Sequence, residues 1–411
     1  MAYSSVHGGD DLPLRSPGAG APDTAEPYGN PRGLAAAQQP SWGDHPGLPE
    51  IRERLAELPA LVTPSEVSTL RELLARVESG AAYLLHVGEC AETFAMADGA
   101  HVDARSALYR KLAGRLSERT GRPVVLVARM AGQHAKPRSR PLECLADGTV
   151  LPVYRGDAVN GLEATAVARA PEPCRLLTSH ARSQETLARL APQRHDGHPV
   201  FVSHEALLRD YEEPMTREAD HRYAGSGHLV WIGERTRKLT DWHVQWASRL
   251  HNPIGVKLGP GTTDRDVVDL VRALNPRHET GRLSLIARTG AAAAAAGGLD
   301  PLVSAVAGSG SPVLWQCDPM HGNTRTHNGE KLRLLPDLRA EISSFVTSVR
   351  RHGGHPGGLH LEVTPEAVRE CHESLPGRTP DSGTDAPPCD PRLNPAQAME
   401  IVEHFADAVG V

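Results

Sequence analysis

The sequence predicts an α/β protein built as a single (β/α)8 TIM barrel, with an N-terminal extension and a short excursion between strands 2 and 3. Three observations carry that prediction. Eight apolar runs of strand length recur along the chain, at 82–87, 123–129, 199–203, 228–233, 252–257, 283–288, 312–317 and 358–363. Each is near-continuously aliphatic, as a strand buried on both faces must be. Helical stretches lie between most of them, and eight strand–helix units close a barrel. Reactive side chains then cluster just past the runs, where the strand ends of a barrel converge on one face. A doubly wound sheet is the structural alternative.

Taken in order, residues 1–33 are rich in Gly, Pro, Asp and Ser and read as a disordered leader, leaving 34–411 as the catalytic barrel with its helical extension. Helices are expected at 47–58 and 64–79, the second opening on a capping box from Thr63 to Glu66. Further helices are expected at 104–119, 205–211, 239–250, 264–274, 299–308, 335–351 and 395–408. The span 131–198 is too long for a simple connection and should fold against the barrel, with a turn at Asp147–Gly148. The six alanines at 291–296 favour a short helix or mobile loop that Gly297 and Gly298 end early.

Hydrophobic residues make up 39% of the chain but aromatic ones only 4%, so the core should be aliphatic, as in barrel interiors filled by Val, Ile and Leu. A net charge of −6 excludes a globally basic surface for nucleic acid, so an anionic ligand must be held by local cations. No apolar run reaches the roughly 18 residues of a membrane span, and the first residues carry no apolar signal segment. The six cysteines (Cys90, Cys144, Cys174, Cys317, Cys371 and Cys389) are scattered, which fits reduced thiols in a cytoplasmic protein.

The strand ends hold the chemistry. They read GECAETF (88–94), VARMAGQHAKPRS (127–139), VSHEALLRDYE (202–212) and VWIGERTR (230–237), then Lys257, Arg288, WQCDPMHGNT (315–324) and Glu362, with CDPRLN (389–394) in the last loop. Solvated charge has no reason to prefer these places. The strings LAAAQQPSW (34–42), AKPRS, YRGDAVNG (154–161), WIGERTR, WQCDPMHGNT and CDPRLN resemble the type II (plant-like) 3-deoxy-D-arabino-heptulosonate 7-phosphate (DAHP) synthases over nearly the whole chain after the leader. That resemblance implies a metal-dependent barrel enzyme that condenses phosphoenolpyruvate with erythrose 4-phosphate and releases phosphate, the first step of the shikimate pathway.

By position in the matching motifs, the metal ligands implied are Cys90, His321, Glu362 and Asp390. One thiolate, one imidazole and two carboxylates suit Mn or Co foremost, with Zn or Fe as alternatives. Read without context, Cys90 would be a small buried hydrophobe and His321 a hydrogen-bonded loop histidine. Cys389 precedes a ligand and is expected near Cys90, where the two thiols could oxidise if the metal is lost. The resemblance also implies Arg129, Arg235, Lys257 and Arg288 on phosphoenolpyruvate, with Trp231 and Glu234 shaping that pocket. Lys136, Arg138 and Ser139 are implied for the aldose phosphate, although AKPRS alone would read as a solvated basic loop. Catalysis itself is assigned to Lys136, Arg129 and Lys257, with Lys136 as proton donor to the new hydroxyl. His204 and Glu205 could act directly or only cap and buttress.

Three departures from the family pattern stand out. The stretch from Arg175 to Phe201 is too short for the long helical insertion that family members use for feedback control. This matches compact members of secondary-metabolite pathways, and implies insensitivity to Phe, Tyr and Trp. HVGEC replaces the usual QGGDC, and His134 stands where an aromatic is usual. Thr289, Gly290 and the alanine run follow Arg288 in place of Met-Gly and a polar continuation. The alternatives are therefore an amino-DAHP synthase or another modified aldose, or a catalytically silent barrel that binds a partner. The expected assembly is a homo-oligomer, dimer or higher.

Overall fold

Eight parallel strands close into a barrel: β1 Tyr83–Gly88, β2 Val124–Arg129, β3 Val200–Glu205, β4 Leu229–Ile232, β5 Ile254–Leu258, β6 Leu283–Ala287, β7 Leu314–Cys317 and β8 Pro356–Glu362. Each pairs with its neighbours in sequence, and β8 returns to β1. The computed structural model describes residues 31–42, 44–145, 147–192, 199–376 and 390–410. Most of the expected leader and Cys389 lie outside the described residues.

Two helices of the extension precede the barrel, α1 Leu48–Glu57 and α2 Pro64–Glu78. Thr63 and Glu66 exchange hydrogen bonds as a capping box at the start of α2, as the sequence predicts. Leu70, Leu74 and Val77 of α2 pack with Leu84, Val125, Leu229, Ile286 and Leu314, closing the N-terminal end of the barrel with apolar side chains. The outer helices follow as α3 Gly99–Thr120, α4 Arg175–Leu190, α5 Arg209–Met215, α6 Trp242–Ala247, α7 Asp264–Leu274, α8 Ala291–Ala295, α9 Asp300–Ser309, α10 Leu335–Arg351 and α11 Pro395–Gly410.

Several elements differ from expectation. The helix expected at 205–211 begins at Arg209, because Ala206 still pairs with Trp231 O and holds the chain extended past β3. The excursion is a hairpin of Leu142–Cys144 and Val150–Pro152, followed by α4, a full barrel helix within a span expected only as an excursion. A second unforeseen hairpin, Arg325–His327 with Glu330–Leu334, follows β7. The alanine run does form a short helix, ended at Gly297 in the left-handed region.

The interior is aliphatic only near its base, which corrects the expectation of a wholly aliphatic filling. Alternate residues of a strand point inward, and the next layer up is polar and aromatic. His86 Nε2 meets Ser203 Oγ at 2.8 Å, and His86 Nδ1 meets His360 Nδ1 at 3.0 Å. The Trp231 ring packs edge-on against both imidazoles. Burial holds both histidines well below the usual imidazole range, so they pair as neutral rings.

Candidate active site

Strand register assembles the site. Gly88 at the end of β1 lies opposite Arg129 of β2 on one side and Glu362 of β8 on the other. A side chain at residue 88 would start 2.6 Å from Arg129 O, so glycine lets the two strand ends meet. Cys90 follows two residues later, directly above this row.

Cys90, His321 and Asp390 offer a sulfur, a nitrogen and an oxygen that all lie within 4.8 Å of one another. Glu362, the fourth residue implied, joins them through an Oε1 to His321 Nε2 contact of 3.0 Å. The donor set fits a divalent cation, being one thiol, one imidazole and two carboxylates. Its place also attracts positive charge, since Lys136 Nζ lies 3.1 Å from Cys90 Sγ and 3.3 Å from Asp390 Oδ2. Burial alone would raise both carboxyls, but the charges of Lys136, His321 and Lys331 together outweigh it at Asp390, and those of His321, Arg333 and Arg129 together outweigh it at Glu362. Both are held below the carboxylate range.

Three neighbours organise this cluster, and none of them is among the residues expected from the sequence. Asp318 Oδ2 lies 2.7 Å from His321 Nδ1, which directs Nε2 toward Glu362. Burial opposes protonation of His321, yet Asp318 and Glu362 outweigh it and lift the imidazole to about 9. Arg333, fully buried on the second hairpin, donates to Glu362 Oε2 at 2.7 Å and to Pro391 O. Lys331 of the same hairpin donates to Asp390 Oδ1 at 2.6 Å. Asp318 sits inside the WQCDPMHGNT string, three residues before His321; nothing in the sequence marks Arg333 or Lys331.

The expected cations ring the cluster. Arg129 Nη2 lies 3.3 Å from Glu362 Oε1, and its guanidinium rests 5.4 Å above the Trp231 ring. Trp231 therefore supports Arg129 from within the barrel. Among the described residues Arg129 Nε and Nη1 are buried with no hydrogen-bond partner, donors aimed for a ligand to fill. Lys257 Nζ contacts Asp318 Oδ2 at 3.1 Å and His321 Nδ1 at 3.3 Å; burial lowers its pKa, and Asp318 opposes that. Arg288 Nη2 donates to His321 O at 3.1 Å, and Arg235 Nη2 to Ser139 Oγ at 2.7 Å. Arg138 sits beside them, its amide donating to Gln38 Oε1 at 2.9 Å and its guanidinium 3.9 Å from Glu143. Glu234 is engaged by Arg237 and by the amide of Gly259, so it braces the loop after β5.

Alternation splits His204 from Glu205. His204 points away from the barrel axis to Glu212 Oε1 at 2.7 Å, a buttress. Glu205 points inward, where burial raises its carboxyl pKa against the opposing charges of Lys257, His321, Arg129 and Arg235.

A family model described as the class-II DAHP synthetase family matches residues 29–198 and 191–406. A probable phospho-2-dehydro-3-deoxyheptonate aldolase of Pseudomonas fluorescens is 41% identical over 89% of this chain and 94% of its own length. The phospho-2-dehydro-3-deoxyheptonate aldolase of Streptomyces coelicolor is 37% identical over 90% of this chain and 94% of its own. Among solved structures, a Francisella tularensis protein of the same name superposes with a TM-score of 0.54 at 15% identity, covering 87% of this chain and 96% of that one. That last likeness speaks for the fold alone.

Proposed function

The chain belongs to the class-II DAHP synthetase family, and from that premise we propose that it condenses phosphoenolpyruvate with erythrose 4-phosphate to give DAHP and inorganic phosphate. One observation carries the reading: at a single barrel mouth, a thiol–imidazole–carboxylate cluster adjoins Lys136, Arg129, Lys257 and Arg288, with Arg235 on Ser139 beside them, cations brought from four different strand ends. A silent barrel would bear the cost of so much buried charge without return.

The residues divide the work. Arg129, Arg235, Lys257 and Arg288 hold the carboxylate and phosphate of phosphoenolpyruvate, Arg by paired donors and Lys as a point charge. Arg138, Ser139 and Lys136 take the aldose phosphate end. Carbon 3 of phosphoenolpyruvate bonds to the aldehyde carbon, water adds at carbon 2, and the carbon–oxygen bond to phosphate breaks. Lys136 gives its proton to the new hydroxyl oxygen, and the guanidinium groups neutralise the departing phosphate. Cys90, His321, Glu362 and Asp390 would hold a divalent cation, Mn or Co foremost, which supplies Lewis-acid polarisation of the aldehyde.

Residues 34–411 act as one catalytic unit, in a cytoplasmic homo-oligomer. Among the described residues no helix is long and apolar enough to cross a membrane. Between β2 and β3 the described chain holds a hairpin, one helical turn and α4, with no long helical pair. This supports a specialised enzyme insensitive to Phe, Tyr and Trp, placed in secondary metabolism. The His134 ring packs behind the site on Phe94 and Ser179, and His86 lies inside the barrel. Neither ring enters the site, which favours erythrose 4-phosphate over a modified aldose. Phosphate release is measured with both substrates, before and after chelation and with Mn or Co restored. Metal-dependent release unaffected by millimolar aromatic amino acids is expected; no release under any metal refutes the reading.

A further inference from the structure

Glu341 on α10 is 2% exposed, and among the described residues no cation pairs with it. Such a carboxylate is costly, and burial pushes its pKa up to about 7. Its two oxygens face donors from two different loops. The amide of Gly290 donates to Oε1 at 2.8 Å, and Asn323 Nδ2 donates to Oε2 at 2.6 Å. Asn323 completes the bracket, its Oδ1 accepting from Ala291 N at 2.9 Å while Nδ2 also donates to Pro319 O at 2.8 Å.

Gly290 lies two residues after Arg288, and Asn323 two residues after His321. Between them Arg288 Nη2 meets His321 O at 3.1 Å. The loop backbones touch here: a side chain at Gly322 would start 2.5 Å from Gly290 N, and Gly290 itself has φ of 83°. Only a group that accepts at both ends fills the gap. A glutamine would turn its NH2 toward one of the two donors, and an apolar residue would strand both. The titratable groups facing Glu341 are Asp318 and Cys317 on the β7 side; the β6 side presents the backbone amides of Thr289 and Gly290.

We infer that Glu341 is a positioning residue whose carboxylate clasps the Arg288 loop to the His321 loop and fixes the phosphoenolpyruvate arginine against the metal cluster. The ligand of Arg288 rests on the functional reading above; the link to the metal cluster does not.

The test uses the full chain with Glu341→Gln, and Asn323→Ala as a second variant that opens the clasp from the other side. Co2+ is titrated into chelator-treated protein, KM is measured for each substrate, and thermal unfolding is followed at pH 8. The Co2+ Kd and the KM for phosphoenolpyruvate should each rise about tenfold, as is typical when a supporting hydrogen bond behind a ligand is lost. The KM for erythrose 4-phosphate should stay within about twofold, since its cations lie on the β2 loop, and Glu341→Gln should be no less stable than wild type. Unchanged Co2+ Kd and phosphoenolpyruvate KM overturn the inference, as does an equal rise for both substrates. If wild type turns over neither substrate, the functional reading fails and the Co2+ Kd alone decides the clasp. If Glu341→Gln does not fold, the same measurements on Asn323→Ala decide it.

Discussion

Replacing Asp318 with Asn keeps the side-chain shape but removes the charge that orients His321. Asp318 Oδ1 accepts from the amides of Met320 and His321, both at 3.1 Å, and an Asn oxygen can continue to do so. The change falls on Oδ2, which lies 2.7 Å from His321 Nδ1 and 3.1 Å from Lys257 Nζ. An NH2 group there would donate to Nδ1, moving the ring proton to Nε2, the atom that must be free to ligate. Loss of such a supporting partner costs about 10- to 100-fold in metal affinity, or about 1.4–2.7 kcal/mol. Lys257 would also lose its nearest anion, and with it part of its hold on phosphoenolpyruvate. Calorimetric titration of Co2+ into chelator-treated wild type and Asp318→Asn measures the first effect, with circular dichroism confirming that both are folded. A Kd within twofold of wild type would falsify the orienting role.

Two further outcomes are expected. Arg333→Met leaves Glu362 buried without its 2.7 Å partner, with His321 and Arg129 still facing its other oxygen, and losing one hydrogen bond to a charged group costs about 1.5–3 kcal/mol; a loss below about 1 kcal/mol in urea unfolding would refute the argument. Glu341 makes stability depend on pH in the direction opposite to Asp318, Glu362 and Asp390, whose carboxyls are held low. Burial lifts it from an ordinary value of 4.5 to about 7, so the folded state binds its proton more tightly than the unfolded chain. Its contribution is therefore full below pH 4.5 and lost as pH rises to about 7, by about 3 kcal/mol at most. The stability of Glu341→Gln relative to wild type should improve by up to that amount from pH 4.5 to 8, and a difference flat in pH sinks the claim.

The legibility of the chain followed its chemistry. All eight barrel strands were readable because a strand covered on both faces is mainly aliphatic, whatever it packs against. Helix α4 was not, since its buried face is Leu176, Ser179, His180, Ser183, Thr186 and Leu190. Four of those six side chains are polar, so the face that packs on the barrel does not read as a core face. The polar interior layer escaped for a related reason: His86, Ser203 and His360 satisfy one another only across strands far apart in the chain.

By itself, the sequence determined the barrel, the cations at its strand ends and the motifs that carry the family, all of which are local patterns. The tertiary structure alone decided that His204 faces outward and Glu205 inward, that Asp318 orients His321, and that Arg333 and Glu341 brace loops from behind. Those roles depend on register and on charges meeting in a low-dielectric interior, where a partner far along the chain sets the energy and no local pattern records it.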